Sequence, residues 1–331
     1  MALLYRNNLD IKVVGITGSV GKTSTKETIS YVLNKKYKVL KTEGNFNNEI
    51  GLPLTVFRLR DEDQIAVLEM GISDFGEMAR LTKIAKPDTC VITNIGTCHL
   101  ENLGDRDGVL KAKTEIFQSM KPNGHIVLNG DDDKLITVRE YNGVKPVFFG
   151  LNSERDVYAD QVESKGLKGV ACRIHLGEDA FDVLVPTPGI HMVYNALAAA
   201  AVGRIYGLTI EEIRRGIESL ETIRGRFKMI ETDKFLVVDD CYNANPMSMK
   251  ASLDVLHDGE GRRVAILGDM GELGEDEAAL HEGVGIHAAT CGIDACVCVG
   301  DLAVHIAEAA RKANPDFPVY YETVSYTHLT L

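Results

Sequence analysis

Ile11-Lys12-Val13-Val14-Gly15-Ile16-Thr17-Gly18-Ser19-Val20-Gly21-Lys22-Thr23-Ser24 is the stretch that decides the fold. Its first seven residues are an apolar, β-branched run of the kind that fills a buried strand. Residues 22–36 follow with helical spacing, Thr25, Ile29, Val32 and Leu33 sharing one face. Between strand and helix, Gly18 and Gly21 let the backbone curl so that successive N–H groups face one point. Lys22 adds a flexible cation for β- and γ-phosphates, the Thr23 hydroxyl is a ligand for Mg²⁺, and the helix N-terminus favours an anion. The longer phosphate-loop pattern asks for glycine where Ile16 stands, so only the shorter GxxGK[ST] is met. The competing reading is a glycine turn in a dinucleotide-type fold.

Outward from this loop the same alternation continues. Runs at 65–70, 89–95 and 125–128 read as further buried strands, which predicts an α/β fold with a mostly parallel, doubly wound sheet. Residues 144–186 differ, with short alternating strands split by Gly150, Gly166, Gly169 and Gly177, and predict an antiparallel extension. An Ala-rich helix is expected over 195–206 and another over 210–220. After Gly225 the pattern restarts with strands at 235–239, 263–267, 295–299 and 318–321 and helices at 247–256, 276–289 and 302–312, predicting a second, Rossmann-like α/β domain. The expected domains are 1–223, a central nucleotide-binding domain, and 224–324, a carboxyl-terminal domain. Residues 325–331 (SYTHLTL) continue no earlier pattern. They read as a translated sequencing-adapter scar and are set aside as a non-native tail.

The 331 residues suffice for two cores at about 150 residues per domain. With 36 Lys and Arg against 48 Asp and Glu, and no basic run, the chain is not expected to bind nucleic acid, which needs clustered cations. No apolar run reaches membrane-spanning length and the first residues carry no signal-peptide pattern, so membrane insertion and export are not expected. Seven cysteines in mostly apolar surroundings fit buried thiols in a reducing cytoplasm. Cys296 and Cys298 are expected on opposite faces of one strand. Asp131-Asp132-Asp133 reads as a solvated turn.

Several residues could carry chemistry. Glu69 ends a strand at the edge where open α/β sheets place ligands, and a carboxylate there can hold Mg²⁺. By itself it reads equally as a strand-end charge. His99 follows the 89–95 strand by a short loop, and alone it is either a satisfied polar residue or a ligand. Lys111 and Lys113 alone read as a solvated cationic face.

The strings GITGSVGKTSTKE (15–27), EGNFNNEIGLPLT (43–55), AVLEMGISDFGEM (66–78), ITNIGTCHLENLGD (92–105) and LKAKTEIF (110–117) resemble the ATP-binding central domain of the Mur ligases. VVDDCYNANPMSMKASLDVL (237–256) and AILGDMGELGEDEAALH (265–281) resemble the third domain of the dipeptide-adding member. The likeness runs from about Val13 to Tyr321. It implies an ATP-dependent amide ligase that joins D-alanyl-D-alanine to UDP-N-acetylmuramoyl-tripeptide through an acyl phosphate, in cytoplasmic peptidoglycan precursor synthesis. The alternatives are another Mur-type or folylpolyglutamate-type ligase, or a nucleotide-binding ATPase that has lost ligase activity.

The resemblance also implies roles. Thr17, Gly18, Ser19, Val20, Gly21, Lys22, Thr23 and Ser24 would surround the ATP phosphates. Thr23 and Glu69 would hold one Mg²⁺, and His99 would contribute to a second. Lys113, preferred over Lys111 because it precedes the EIF stretch, aligns with the lysine the family carbamylates, which would make it an anion beside a cation. Asn195 would lie near the adenine, with Met192 where the family commonly has asparagine. Arg226, Asp240 and Tyr242 would reach the nucleotide. Asn243, Asn245 and Ser248 belong to the same loop, where their other reading is helix capping. Asn45, Asn47 and Asn48 would face the muramoyl peptide, their other reading being turn chemistry. Asp269 and Glu272 would lie near the dipeptide. A monomer is expected. The family has an amino-terminal UDP-sugar domain and further carboxyl-terminal elements, so the resemblance predicts that this chain is a fragment.

Overall fold

The computed structural model describes residues 1–221 and 227–323. Two compact units divide the chain. The first comprises Met1–Gly96 and Asn102–Glu221, and the second Thr97–Glu101 together with the chain after Glu221.

The strands are β1 (Lys12–Thr17), β2 (Val39–Lys41), β3 (Ile65–Glu69), β4 (Thr89–Ile92), β5 (His125–Asn129), β6 (Val147–Gly150), β7 (Val157–Ser164), β8 (Val170–Leu176), β9 (Asp179–Val185), β10 (Lys228–Glu231), β11 (Leu236–Asp239), β12 (Val264–Gly268), β13 (Ala295–Val299) and β14 (Val319–Glu322). The α-helices are α1 (Ala2–Asn7), α2 (Lys22–Leu33), α3 (Gly51–Val56), α4 (Glu77–Ala85), α5 (Leu100–Leu103), α6 (Arg106–Thr114), α7 (His191–Ile205), α8 (Ile210–Glu218), α9 (Pro246–His257), α10 (Glu277–Thr290) and α11 (Ala303–Ala313).

In the first unit, nine strands among the described residues form one sheet in the order β2-β3-β1-β4-β5-β6-β7-β8-β9. Every pairing from β2 to β7 is parallel, and β7-β8-β9 is antiparallel. The antiparallel extension therefore starts later than the glycine pattern suggested. Val147–Gly150 and β7 both join the parallel part, and the chain first reverses at β8. β1 lies between β3 and β4 with Ile16 opposite Glu69 and Val91. Strands buried on both faces read as continuous apolar runs, and β1, β3 and β4 do so.

One face of the sheet is covered by α2 and α7. Ile29, Val32 and Leu33 of α2 and Ala196–Val202 of α7 are buried in one cluster with Val14, Ile16, Val67 and Val91. The small side chains of α7 allow close approach, since interaxial distance follows side-chain size. On α8, which packs against α2, Gly216 sits where an added Cβ would lie 2.5 Å from the Val32 Cα. Buried Arg6 donates from its guanidinium to the carbonyls of Ala85, Leu9 and Ile11, tying α1 to the start of β1.

The second unit contains a parallel sheet, β12-β13-β14, and a separate antiparallel pair, β10-β11. The strand expected at 235–239 is thus present as β11, but its partner is the hairpin neighbour β10, not the parallel sheet. Cys296 and Cys298 correct another expectation. Strand side chains alternate, so residues two apart share a face. The two sulfurs lie 3.9 Å apart in the core.

Replacing Gly216 by Ala forces the Val32 backbone on α2 to shift. We expect a loss of about 1–3 kcal/mol, as for overpacked cores. Urea unfolding followed by far-UV circular dichroism checks this; an unchanged midpoint would show that α8 moves freely over α2.

Candidate active site

β1 ends at Thr17 and α2 begins at Lys22, so residues 18–21 make the turn between them. Gly18 has φ +148° and Gly21 φ +81°, a region that excludes most side chains. A Cβ on Gly18 would lie 1.9 Å from the Thr93 Oγ1. The end of β4 braces the turn. Ser19 N donates to the Asn94 carbonyl at 3.0 Å and Val20 N to Asn94 Oδ1 at 2.9 Å. Asn94 Nδ2 and Thr93 Oγ1 both donate to the Val20 carbonyl, at 3.0 and 2.6 Å. The N–H groups of Ser19 and Val20 are therefore occupied by the scaffold. The first turn of α2, from Lys22 on, presents donors without intrahelical acceptors. Asn94 is the brace that sequence reading missed; a lone asparagine just after the apolar core of a strand was its only signal.

The Lys22 ammonium folds back over this turn, donating to the carbonyls of Gly18 (2.8 Å) and Ser19 (3.3 Å). Its acceptors are neutral, so an anionic phosphate would be a stronger partner.

Glu69 stands beside the turn because β3 pairs in register with β1. The residue is 2 % exposed. Oε1 accepts from Asn47 Nδ2 at 2.9 Å and from Thr23 Oγ1 at 3.3 Å. Oε2 is buried with no hydrogen-bond partner. Orphaned carboxylate oxygens are costly, and hard cations take oxygen ligands such as this one and a threonine hydroxyl. The donor set thus fits Mg²⁺. Asn47, expected to face the peptide substrate, holds this carboxylate with its side-chain amide. Asn48 accepts from the N–H groups of Ile50 and Gly51 at the start of α3, and Asn45 is exposed.

Asn195 of α7 is buried and reaches α2, its Oδ1 accepting from Thr25 Oγ1 at 2.8 Å. Its Nδ2 donates to the Met192 sulfur at 3.2 Å, so methionine supplies a weak acceptor at that position. Lys111 and Lys113 separate clearly. Lys111 is exposed, with its ammonium 5.6 Å from the Phe75 ring centroid, whereas Lys113 is 1 % exposed. The acidic run at 131–133 is no merely solvated turn. Asp131 accepts from Arg155 and Tyr194, Asp132 Oδ2 accepts from Ile95 N at 2.7 Å, and Asp133 pairs with Arg106. Burial, reinforced by Asp131, pushes the Tyr194 phenol up to about 12.

His99 belongs to the second unit and has φ +55°. Its Nδ1 lies 2.6 Å from Glu272 Oε2 in the same unit. Asp240 accepts from Phe227 N at 3.2 Å and from Ser252 Oγ. Asn245 and Ser248 form a reciprocal capping box on α9, the helix-capping role their chemistry offered. Asn243 accepts from Ala244 N, and Tyr242 is half exposed. Asp269 accepts from the N–H groups of Asp301 and Ala303. Arg226 and the 325–331 tail lie outside the described residues. Among the described residues no three His, Cys, Asp or Glu side chains gather as a metal nest. No helix there is long and apolar enough to cross a membrane.

A glycine turn opening a helix, with a cation over it and a buried carboxylate beside it, defines a nucleotide-binding α/β domain of the phosphate-loop kind. Comparison with known proteins is specific. The Mur ligase middle domain matches residues 16–203, and the Mur ligase glutamate ligase domain matches 225–328. The UDP-N-acetylmuramoyl-tripeptide–D-alanyl-D-alanine ligase of Bacillus subtilis is 39% identical over 94% of this chain and 68% of its own length. MurF from Acinetobacter baumannii superposes with a TM-score of 0.88 at 32% identity, over 97% of this chain and 75% of that one. MurF from Thermotoga maritima, crystallised with ADP, gives 0.83 at 30% identity, over 98% and 78%. The chain belongs to the Mur ligase family.

Gly18→Ala places a methyl against Thr93 and strains the turn. We expect the affinity for ADP with Mg²⁺ to fall at least about tenfold, or 1.4 kcal/mol. Titration with a fluorescent ADP analogue reads this; unchanged binding would place the nucleotide elsewhere.

Proposed function

We propose that this chain is an ATP-dependent amide ligase that joins D-alanyl-D-alanine to UDP-N-acetylmuramoyl-tripeptide. The 39% identity over 94% of the chain to a ligase with that name supports the substrates, and the observation that supports the ATP chemistry is the placement of Thr23 against Glu69 beside the glycine turn, with one carboxylate oxygen held and the other buried without a hydrogen bond. In this reading the tripeptide carboxylate attacks the γ-phosphorus of ATP. The bond to the β-phosphate oxygen breaks, giving ADP and an acyl phosphate. The dipeptide amine then adds to the acyl carbon, loses a proton, and phosphate leaves as the amide forms.

The chemical obstacle is the approach of two anions, and fixed positive charge aimed at the transferring group lowers it. Lys22 turns from the loop carbonyls to the phosphates, and the first-turn N–H groups of α2 orient them. Thr23 and Glu69 hold Mg²⁺, which when bound neutralises phosphate charge. Asn47 and Thr23 fix the rotamer of Glu69 before substrate arrives. Asn195 lies near the base. Asp240, Tyr242 and Arg226 are assigned to the nucleotide, Asn45, Asn47 and Asn48 to the muramoyl peptide, Asp269 and Glu272 to the dipeptide, and Asn243 and Asn245 to substrate binding. His99 is assigned to a second Mg²⁺. Lys113 is assigned as a carbamate, formed when its neutral amine adds to carbon dioxide and releases a proton. The domains are assigned as 1–223 and 224–324, and the site is assigned to a monomeric, cytoplasmic enzyme.

The deciding assay is ADP release with UDP-N-acetylmuramoyl-tripeptide, with and without D-alanyl-D-alanine. We expect dipeptide-dependent turnover, and a loss of roughly a hundredfold or more in kcat for Lys22→Met. ATP hydrolysis indifferent to both substrates would overturn the ligase reading. For Lys113, ¹³C-bicarbonate should give a carbamate resonance that Lys113→Ala lacks; spectra identical for both proteins would refute the modification.

A further inference from the structure

α2 carries a second lysine that the mechanism above does not use. Lys26 is 1 % exposed, as deeply buried as any charged residue in the first unit. Its ammonium donates to the Thr42 carbonyl at 2.7 Å and pairs with Glu27 Oε1 at 3.0 Å. It also lies 4.0 Å from Glu69 Oε2, the oxygen that has no hydrogen bond. Thr23 and Lys26 are three apart on one helix and so share a face. They present a hydroxyl to one oxygen of Glu69 and an ammonium to the other.

The local charges indicate what Lys26 offsets. Glu27 has a second cation, Lys41, on its other oxygen. Two cations, Lys26 and Lys41, therefore face two carboxylates, Glu27 and Glu69. Lys26 is shared, 3.0 Å from Glu27 Oε1 and 4.0 Å from Glu69 Oε2, and because Lys41 also pairs with Glu27, Lys26 is the cation that balances Glu69. Thr42 links the two residues through the backbone as well. Its carbonyl accepts from Lys26 and its hydroxyl accepts from Glu69 N at 3.0 Å. A buried carboxylate with one unpartnered oxygen needs such a counter-charge to keep its place. At 4.0 Å the ammonium supplies that charge without taking the oxygen in a hydrogen bond, so the lone pairs stay open to a metal.

We propose that Lys26 is a positioning residue for the metal site: it sits behind Glu69 and keeps the carboxylate poised, with Oε2 free of hydrogen bonds, so that Mg²⁺ meets a preformed ligand. This inference rests on the reading of Thr23 and Glu69 as the Mg²⁺ pair. It concerns metal affinity and not phosphate contact, so its effect belongs in the Mg²⁺ dependence of nucleotide binding.

The test is binding of a fluorescent ADP analogue to the full chain across a Mg²⁺ titration, with thermal melts of the metal-free protein alongside. For Lys26→Met we expect the Mg²⁺ needed for half-maximal binding to rise roughly ten- to hundredfold, the range for residues that orient metal ligands. Affinity at saturating Mg²⁺ should recover towards the parent value. Lys26→Gln keeps a donor for Thr42 without the charge; it should show the same rise, and it serves if the Met variant does not fold. In a Glu69→Gln background, Lys26→Met should move the Mg²⁺ midpoint by less than about twofold, because coupled residues are not additive. A purely structural role would lower the melting temperature and leave the Mg²⁺ midpoint unmoved, and that result overturns the proposal. So does an equal shift in both backgrounds. If the parent protein itself shows no Mg²⁺-dependent nucleotide binding, the reading of the site fails first, a distinct outcome.

Discussion

The in-register parallel pairing of β1 with β3 is the constraint on which the candidate site depends. Ile16 lies opposite Glu69, so the carboxylate stands level with the last residues before the glycine turn. A slip of one residue would turn Glu69 to the other face of the sheet. Thr23 would then lose its partner, and Asn47 and Lys26 would face an empty corner. Burial of both sheet faces makes such a slip costly, because every core side chain of β3 would turn with it. Core packing and site geometry are therefore set by one pairing.

A second layer of support comes from β4. Thr93 and Asn94 hold the turn by its own backbone groups, and Asp132 holds the next residue, Ile95, in turn. The turn is stiff before any nucleotide arrives, which lowers the ordering cost of binding. Lys22 differs in being held only by neutral carbonyls, so it is the part of the loop free to move.

How much of this was legible in the sequence depends on the range of the interaction. The glycine turn, Lys22, Thr23 and the flanking strand and helix are local, and their spacing shows them directly. Glu69 could be placed at a strand end, but its partners come from α2 and from the loop before α3, and no periodicity reports such contacts. Asn47 illustrates the difficulty. Its neighbours Asn45 and Asn48 share its residue type, yet one is exposed and the other accepts from backbone N–H groups just ahead of α3, while Asn47 alone reaches Glu69. Lys111 and Lys113 looked alike on a helical face until burial separated them. In the second unit, β11 read as one more parallel strand because apolar content does not reveal the partner, and the hairpin with β10 is a tertiary choice. The face shared by Cys296 and Cys298 followed from strand alternation alone and needed no structure.

The central claim is that Thr23 and Glu69 hold a divalent cation against a nucleotide seated on the glycine turn. Its most direct test is a crystal of this protein grown with ADP and Mn²⁺, with the metal located by anomalous scattering. The account predicts a peak at bonding distance from the Thr23 hydroxyl, beside the Glu69 carboxylate, with the diphosphate on the first turn of α2. A metal bound away from both residues, or a nucleotide lying off that turn, would contradict it.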